Sequence, residues 1–298
     1  MEQAINTGYR AGDSVAGEFV TIAEERYYAI RNVDRMAPFF ISVISSADHW
    51  LFVSSTGGLT AGRGSPETAL FPYIPVDRVH ESFPYTGPKT LLRVQTDGHR
   101  QLWEPFNHER ESRFSISRHI YKNMLGNKLC FEEVNHDLKL TFRYTWMTSD
   151  RFGFVRRCEL RNTGGRAMQI DVLDGLQNIL PAGTPRLAQT NASNLVNAYK
   201  WNELDTATGL GIFTLYSGVS DRAEPCESLK ANTVFATGLE GHHVLLSSEQ
   251  LDAFRAGASV EQETHNRGIR GAYFVSASID VLPGQSQHLS LIHISEPT

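Results

Sequence analysis

Cysteine is scarce in this chain. Cys130, Cys158 and Cys226 are the only three in 298 residues; they lie far apart, and their number is odd. A disulfide framework is therefore not expected, and reduced, buried thiols in a cytoplasmic protein are. Long apolar runs are missing as well: no stretch approaches the roughly 20 residues that a membrane-spanning helix needs. The first ten residues carry no basic segment followed by an apolar core, so no secretory signal is read there. Charge of one sign is not concentrated, with 28 Lys and Arg against 33 Asp and Glu and a net charge of −5. That balance speaks against nucleic acid or an anionic membrane as partner. Motif chemistry is thin: there is no CxxC, no HExxH and no nucleophile elbow. The glycine-rich stretch Ser54–Pro66 lacks the Lys and Ser/Thr spacing of a P-loop.

What is present is strand pattern. The chain is 41% hydrophobic, enough for a sizeable core in one large all-β domain or two small ones. Leu138, Leu140, Phe142, Tyr144 and Trp146 alternate with Lys139, Thr141, Arg143 and Thr145, the period of a strand with one buried face. Thr148–Arg151 turns the chain back into Phe154–Arg161. Asn162-Thr-Gly-Gly165 is turn chemistry, and Met168, Ile170 and Val172 alternate beyond it. These three strands predict an antiparallel meander, left through Asp174–Gly183. Leu140, Phe142, Tyr144, Ile170, Val172 and Val275 are predicted core residues.

Similar runs predict strands at 19–23, 27–31, 38–45, 49–55, 89–95, 113–118, 128–134, 210–216, 234–237, 244–247 and 272–281. Ser54–Pro66 must hug another surface or line a site, and Ala69–Pro75 reads as an irregular edge. Helix is predicted only at Ser247–Ala256, with Ser247 and Gln250 as a capping box and Gly257 as its stop, and at Asn191–Glu203. Many strands and little helix imply an all-β, mostly antiparallel sandwich or barrel.

Four residues are candidates for substrate binding. Asp174, Gln177 and Asn178 cluster where a strand leaves the sheet, and amides beside a carboxylate suit sugar hydroxyls, which need donors and acceptors. Arg63 sits in the glycine-rich stretch near Trp50 and Tyr73, where it could take a carboxylate or phosphate in a bidentate way. Glu132, Glu133, His136 and Asp137 resemble acid–base or metal material, yet no second ligand group with metal spacing stands nearby, and a solvated hairpin tip is expected. His242-His243 reads as a strand start. No metal site is expected.

The segments His49–Arg63, Thr68–Tyr73, Gly126–Asp137, Asp150–Val155 and Asp174–Pro181 resemble the N-terminal region of large bacterial proteins described as cellobiose-phosphorylase-like. The resemblance runs over most of residues 20–288. It implies a β-supersandwich of the galactose-mutarotase-like or glycoside-phosphorylase N-terminal type over 18–288, after a lead-in at 1–17. It implies a parent enzyme that cleaves a β-glucosidic bond with inorganic phosphate as co-substrate, without other cofactor. The family's catalytic residues lie in an (α/α)6 barrel, so none is carried onto a position here. The implied partners are an oligo- or disaccharide, the catalytic domain and a homodimer mate. Other readings are a stand-alone carbohydrate-binding module and a mutarotase-like epimerase, which would need His242, His243, Glu132 or Glu133 to converge. The last ten residues, Leu289–Thr298, resemble a translated sequencing adapter. They are expected to have no native structural role, the natural chain then continuing beyond about His288.

Overall fold

The computed structural model describes residues 14–96, 98–108, 113–191, 193–218 and 230–295. In chain order the first strands are β1 (Ala16–Ile22), β2 (Glu25–Arg31), β3 (Phe40–Val43), β4 (His49–Ser54), β5 (Leu59–Arg63), β6 (Ala69–Phe71), β7 (Gly87–Thr96) and β8 (His99–Trp103). Next come β9 (Ile116–Asn123), β10 (Lys128–Asn135), β11 (Leu140–Ser149), β12 (Gly153–Asn162) and β13 (Met168–Ile179). Two short helices follow, α1 (Arg186–Asn191) and α2 (Ser193–Tyr199), then β14 (Lys200–Asp205), β15 (Leu210–Leu215), β16 (Asn232–Thr237) and β17 (His243–Leu245). Helix α3 (Leu251–Arg255), β18 (His265–Arg267), β19 (Gly271–Val281) and β20 (Ser286–Ser295) complete the described chain.

The fold is the expected all-β, antiparallel sandwich. An 11-stranded sheet runs β1-β2-β9-β10-β11-β12-β20-β16-β15-β14-β18, a 5-stranded sheet runs β17-β19-β13-β7-β8, and a 4-stranded sheet runs β3-β4-β5-β6. Every strand pairing among the described residues is antiparallel. One apolar cluster fills the space between the sheets. It holds Leu140, Phe142, Tyr144 and Trp146 of β11, Leu92 and Val94 of β7, Ile170 and Val172 of β13, and Val275 of β19. All six predicted core residues are buried. The far side of the five-stranded sheet is covered too, because Leu251 and Phe254 of α3 pack on Leu91, Leu173 and Phe274. β7 and β13 therefore bury both faces along most of their length, polar residues such as Thr90, Arg93 and Asp174 included.

The predicted meander holds for two strands and fails for the third. β11 and β12 pair from Leu140↔Asn162 to Ser149↔Gly153. β13 does not return to β12; it crosses to the five-stranded sheet and pairs with β19 and β7. Asn162 holds the crossover. Its amide nitrogen donates to the carbonyls of Arg166 at 2.7 Å and Val281 at 2.9 Å, and its carbonyl oxygen accepts from Gly164 N–H at 2.9 Å.

The place that β13 leaves beside β12 is taken by β20. Its register runs from Arg161↔Ser286 to Phe154↔His293, and its other edge pairs with β16 from Thr237↔Ser290 to Asn232↔Ser295. The adapter-like residues 289–295 thus lie inside the large sheet with a ladder on each side, pairing that unpaired strand edges offer to any extended chain and that does not itself make the segment native.

The glycine-rich stretch does hug another surface. A Cβ on Gly62 of β5 would lie 2.4 Å from the Trp50 ring, and one on Gly58 would lie 2.4 Å from the Val79 carbonyl oxygen. β6 forms the edge of the small sheet, as Ala69–Pro75 suggests. The helices are shorter than predicted. Ser247 and Gln250 form no capping box: Ser247 Oγ donates to Glu263 at 3.0 Å, and the Gln250 amide binds Glu261 and Glu263. α3 therefore starts only at Leu251, and Gly257 with φ 97° stops it. Helix α2 ends at Tyr199 because Lys200–Asp205 is a strand on β15. Cys130 and Cys158 are buried, free thiols, and Cys226 lies outside the described residues.

Candidate functional site

Asp174 is not at a surface. Arg156 of β12 reaches across the sandwich and binds it in a bidentate way, Nη1 to Oδ2 at 2.7 Å and Nη2 to Oδ1 at 2.9 Å. Thr90 Oγ1 donates to Oδ1 at 2.5 Å, and Cys158 Sγ lies 3.5 Å from Oδ2. Both side chains are sealed, at 0% and 1% exposure. Burial works against the Arg156 cation, and the adjacent Asp174 carboxylate more than offsets it, holding the guanidinium's pKa above its ordinary value. With its oxygens saturated and no path to solvent, Asp174 ties the two sheets together and is not placed to meet a sugar.

Gln177 and Asn178 are placed differently. The β13–β19 register shifts between Gln177 and Ile179, and Asn178 sits there at φ 60°. A bulge of this kind re-aims side chains, and asparagine is among the residues that accept the left-handed region most readily. Gln177 Nε2 donates to the Pro84 carbonyl at 3.1 Å, and Asn178 Nδ2 donates to Thr86 Oγ1 at 2.9 Å. Their nitrogens are thereby fixed, and both side chains border a cleft of about 480 Å³. Across it stand Tyr85, Asn197 of α2, Asp252 of α3 and Arg270. The Asn197 amide oxygen is buried without a hydrogen-bond partner. The Tyr85 ring is 46% exposed, with the Arg270 guanidinium 5.8 Å from its centroid. Fixed amides, a carboxylate, a cation and an open ring face are what a polyol needs for orientation.

A second cleft, of about 540 Å³, lies on the other side of Arg255, which borders both. Arg255 forms the ridge between them. Its Nε and Nη2 each reach Glu104 at 3.0 Å, and Nη1 reaches Asp252 at 2.7 Å. Sequence reading missed this ridge, since Glu104 and Arg255 are 151 positions apart.

Arg63 lies elsewhere, in the four-stranded sheet, with its Nε on Asp48 at 2.9 Å in an exposed pair. Of the four candidates the structure thus brings together Gln177 and Asn178 alone. His136 and Asp137 do form a hairpin tip: His136 Nε2 lies 2.8 Å from Ser117 Oγ, and Asp137 accepts from Ser115 N–H at 2.8 Å. Among the described residues no group of three or more His, Cys, Asp or Glu could hold a metal ion.

Glu132 and Glu133 point to opposite faces of β10. Glu133 accepts from Trp103 Nε1 at 2.8 Å, Phe106 N–H at 2.7 Å and Arg118 Nε at 2.7 Å. Glu132 accepts from Tyr121 Oη at 2.6 Å and from Arg143. Its burial would raise its pKa, but Arg143 and His119 lower it. His242 and His243 border neither cleft; His242 Nδ1 lies 2.8 Å from the Leu239 carbonyl, and His243 opens β17 on the sheet edge. The histidine that does face Glu132 is His119, its cross-strand partner on β9. The two belong to a row in register across the large sheet, Arg31, His119, Glu132, Arg143, Glu159 and His288. His119 Nδ1 accepts from Asn32 N–H at 3.1 Å, so the ring is neutral, and burial pushes its pKa down to about 4.

No protein-family model matches the sequence, and no curated protein matches it. Solved structures do resemble the fold. A polysaccharide lyase is 12% identical with a TM-score of 0.42, over 87% of this chain and 33% of its own. A bacterial glucoamylase complexed with acarbose is 8% identical with a TM-score of 0.41, over 97% of this chain and 35% of its own. A protein described as an aldose 1-epimerase from Escherichia coli is 11% identical with a TM-score of 0.40, over 88% of this chain and 100% of its own. Each of these is a carbohydrate-processing protein. The chain spans about a third of the length of the lyase and the glucoamylase. No helix among the described residues is long and apolar enough to cross a membrane.

Proposed function

We propose that this chain is the β domain of a carbohydrate-active enzyme of the cellobiose-phosphorylase-like kind, and that it holds an oligo- or disaccharide without breaking it. The observation that carries the reading is the cleft at the β13 bulge. There the Gln177 and Asn178 amide nitrogens are fixed, Asn178 with φ 60°, beside the open ring of Tyr85. The phosphorylase assignment rests on the sequence resemblance, whose wording at Asp174–Pro181 covers this same bulge. In the parent enzyme the bond would be cleaved by inorganic phosphate in a separate helical barrel. The test is the purified chain incubated with cellobiose and phosphate. Sugar binding without release of glucose 1-phosphate is the expected result, and release of glucose 1-phosphate overturns it.

A mutarotase-like epimerase is the second reading, and His119 opposite Glu132 is the observation that favours it. It ranks second because both side chains are closed to solvent and Glu132 is occupied by Tyr121 and Arg143. Mutarotation of glucose by the isolated chain, abolished in His119→Asn, would move it to first place.

A further inference from the structure

The cleft beyond Arg255 has a different chemistry. It is walled by Arg100 of β8, Arg113, Arg118 of β9 and Arg255, with Glu104 and Glu133 as its two carboxylates. Both carboxylates are already saturated. Glu104 takes two bonds from Arg255, and Glu133 takes three, from Trp103, Phe106 and Arg118. Arg118 is itself held rigid, because its Nη2 donates to the Asn107 carbonyl at 2.9 Å and its Nη1 lies 2.9 Å from His108 Nδ1. Arg100 has one long ionic contact, 3.5 Å to Asp171, which it shares with Arg93 at 3.2 Å. Arg113 makes no ion pair among the described residues. Two cationic charges are thus left over along the rim, while Trp103 and Phe114 supply an apolar floor.

We propose that this cleft binds a saccharide carrying an anionic group, its carboxylate, phosphate or sulfate seated between Arg100 and Arg113. Guanidinium forks match planar and tetrahedral oxyanions in a bidentate way, and a partly enclosed site strengthens the pairing over that in bulk water. The volume, about 540 Å³, lies within the range of small-ligand sites. It is much larger than one oxyanion, and the Trp103 and Phe114 surfaces have no use for a bare ion, which is why the anion is assigned to a sugar. The site stands independently of the amide cleft, which needs no charge on its ligand.

The test is a calorimetric titration of the whole chain with four probes: glucose 6-phosphate, glucuronate, glucose and inorganic phosphate. The charged sugars are expected to bind at least about tenfold more tightly than glucose and than inorganic phosphate, with affinity falling as salt rises. The double variant Arg100→Gln with Arg113→Gln should lose that tenfold preference at nearly unchanged melting temperature, since both side chains are exposed and the long contacts of Arg100 to Asp171 and Gln95 are of the kind that adds little stability. The Lys pair at the same positions should restore it in part. Asn178→Ala, which removes a neutral-sugar contact of the amide cleft, should leave the salt-sensitive binding of the charged sugars in place, which separates the two sites. Equal affinity for glucose, inorganic phosphate alone binding as well as glucose 6-phosphate, undiminished binding by the Gln pair, or no binding of any probe would each overturn the proposal.

Discussion

Replacing Asp174 with Asn would leave Arg156 buried at 0% exposure without its counter-charge. Breaking one side of such a pair costs about 3–5 kcal/mol, whereas apolar residues at both positions can be neutral or better. The expected result in urea unfolding is therefore a large loss for Asp174→Asn and a smaller one for Arg156→Met with Asp174→Leu. Equal losses would mean that the pair acts as packing volume only. The sequence showed Asp174 next to two amides but not Arg156 standing over it, because that partner arrives from another sheet. Phe142 was legible, since period two alone places it inward. Truncating it to Ala should cost about 3–5 kcal/mol. His119 sets a pH dependence. Its folded pKa, about 4, lies below the ordinary 6.5, so between these values the unfolded chain binds more protons. Stability should be complete above about pH 6.5 and fall by up to about 3 kcal/mol as pH drops toward 4. The slope of urea midpoint against pH checks this, and His119→Asn should flatten it.

At the scale of elements, β13 and β20 explain each other. Asn162-Thr-Gly-Gly165 reads as a hairpin turn, yet Asn162 binds both Arg166 and Val281 and sends β13 to the other sheet. No local pattern distinguishes these outcomes, since both need the same turn residues. The vacancy beside β12 is then filled by β20, whose backbone pairs on both sides. Main-chain ladders are indifferent to wording, so adapter-like residues can occupy an interior place that their sequence does not specify. Deleting residues 289–298 should uncover the facing edges of β12 and β16. It should cost more than about 2 kcal/mol and raise amide exchange in both strands. A change below about 1 kcal/mol would show the segment to be dispensable.

For the molecule as a whole, the sandwich was readable from strand periodicity and the scarcity of helix, while the clefts were not. Gln177 and Asn178 could be named from composition, but Tyr85, Asn197, Asp252 and Arg270 come from four separate segments and join them only in the folded chain. Arg63, read as a companion, stayed with the small sheet on Asp48. The central claim is that the amide cleft holds a neutral sugar. Its most direct test is an NMR titration of the isotope-labelled chain with cellobiose, following the side-chain amides of Gln177, Asn178 and Asn197. The account predicts saturable shifts of these three signals in the millimolar range, lost in Asn178→Ala, with no glucose 1-phosphate formed when phosphate is added. Signals that stay still while others move, or that do not move at any concentration reached, would contradict it.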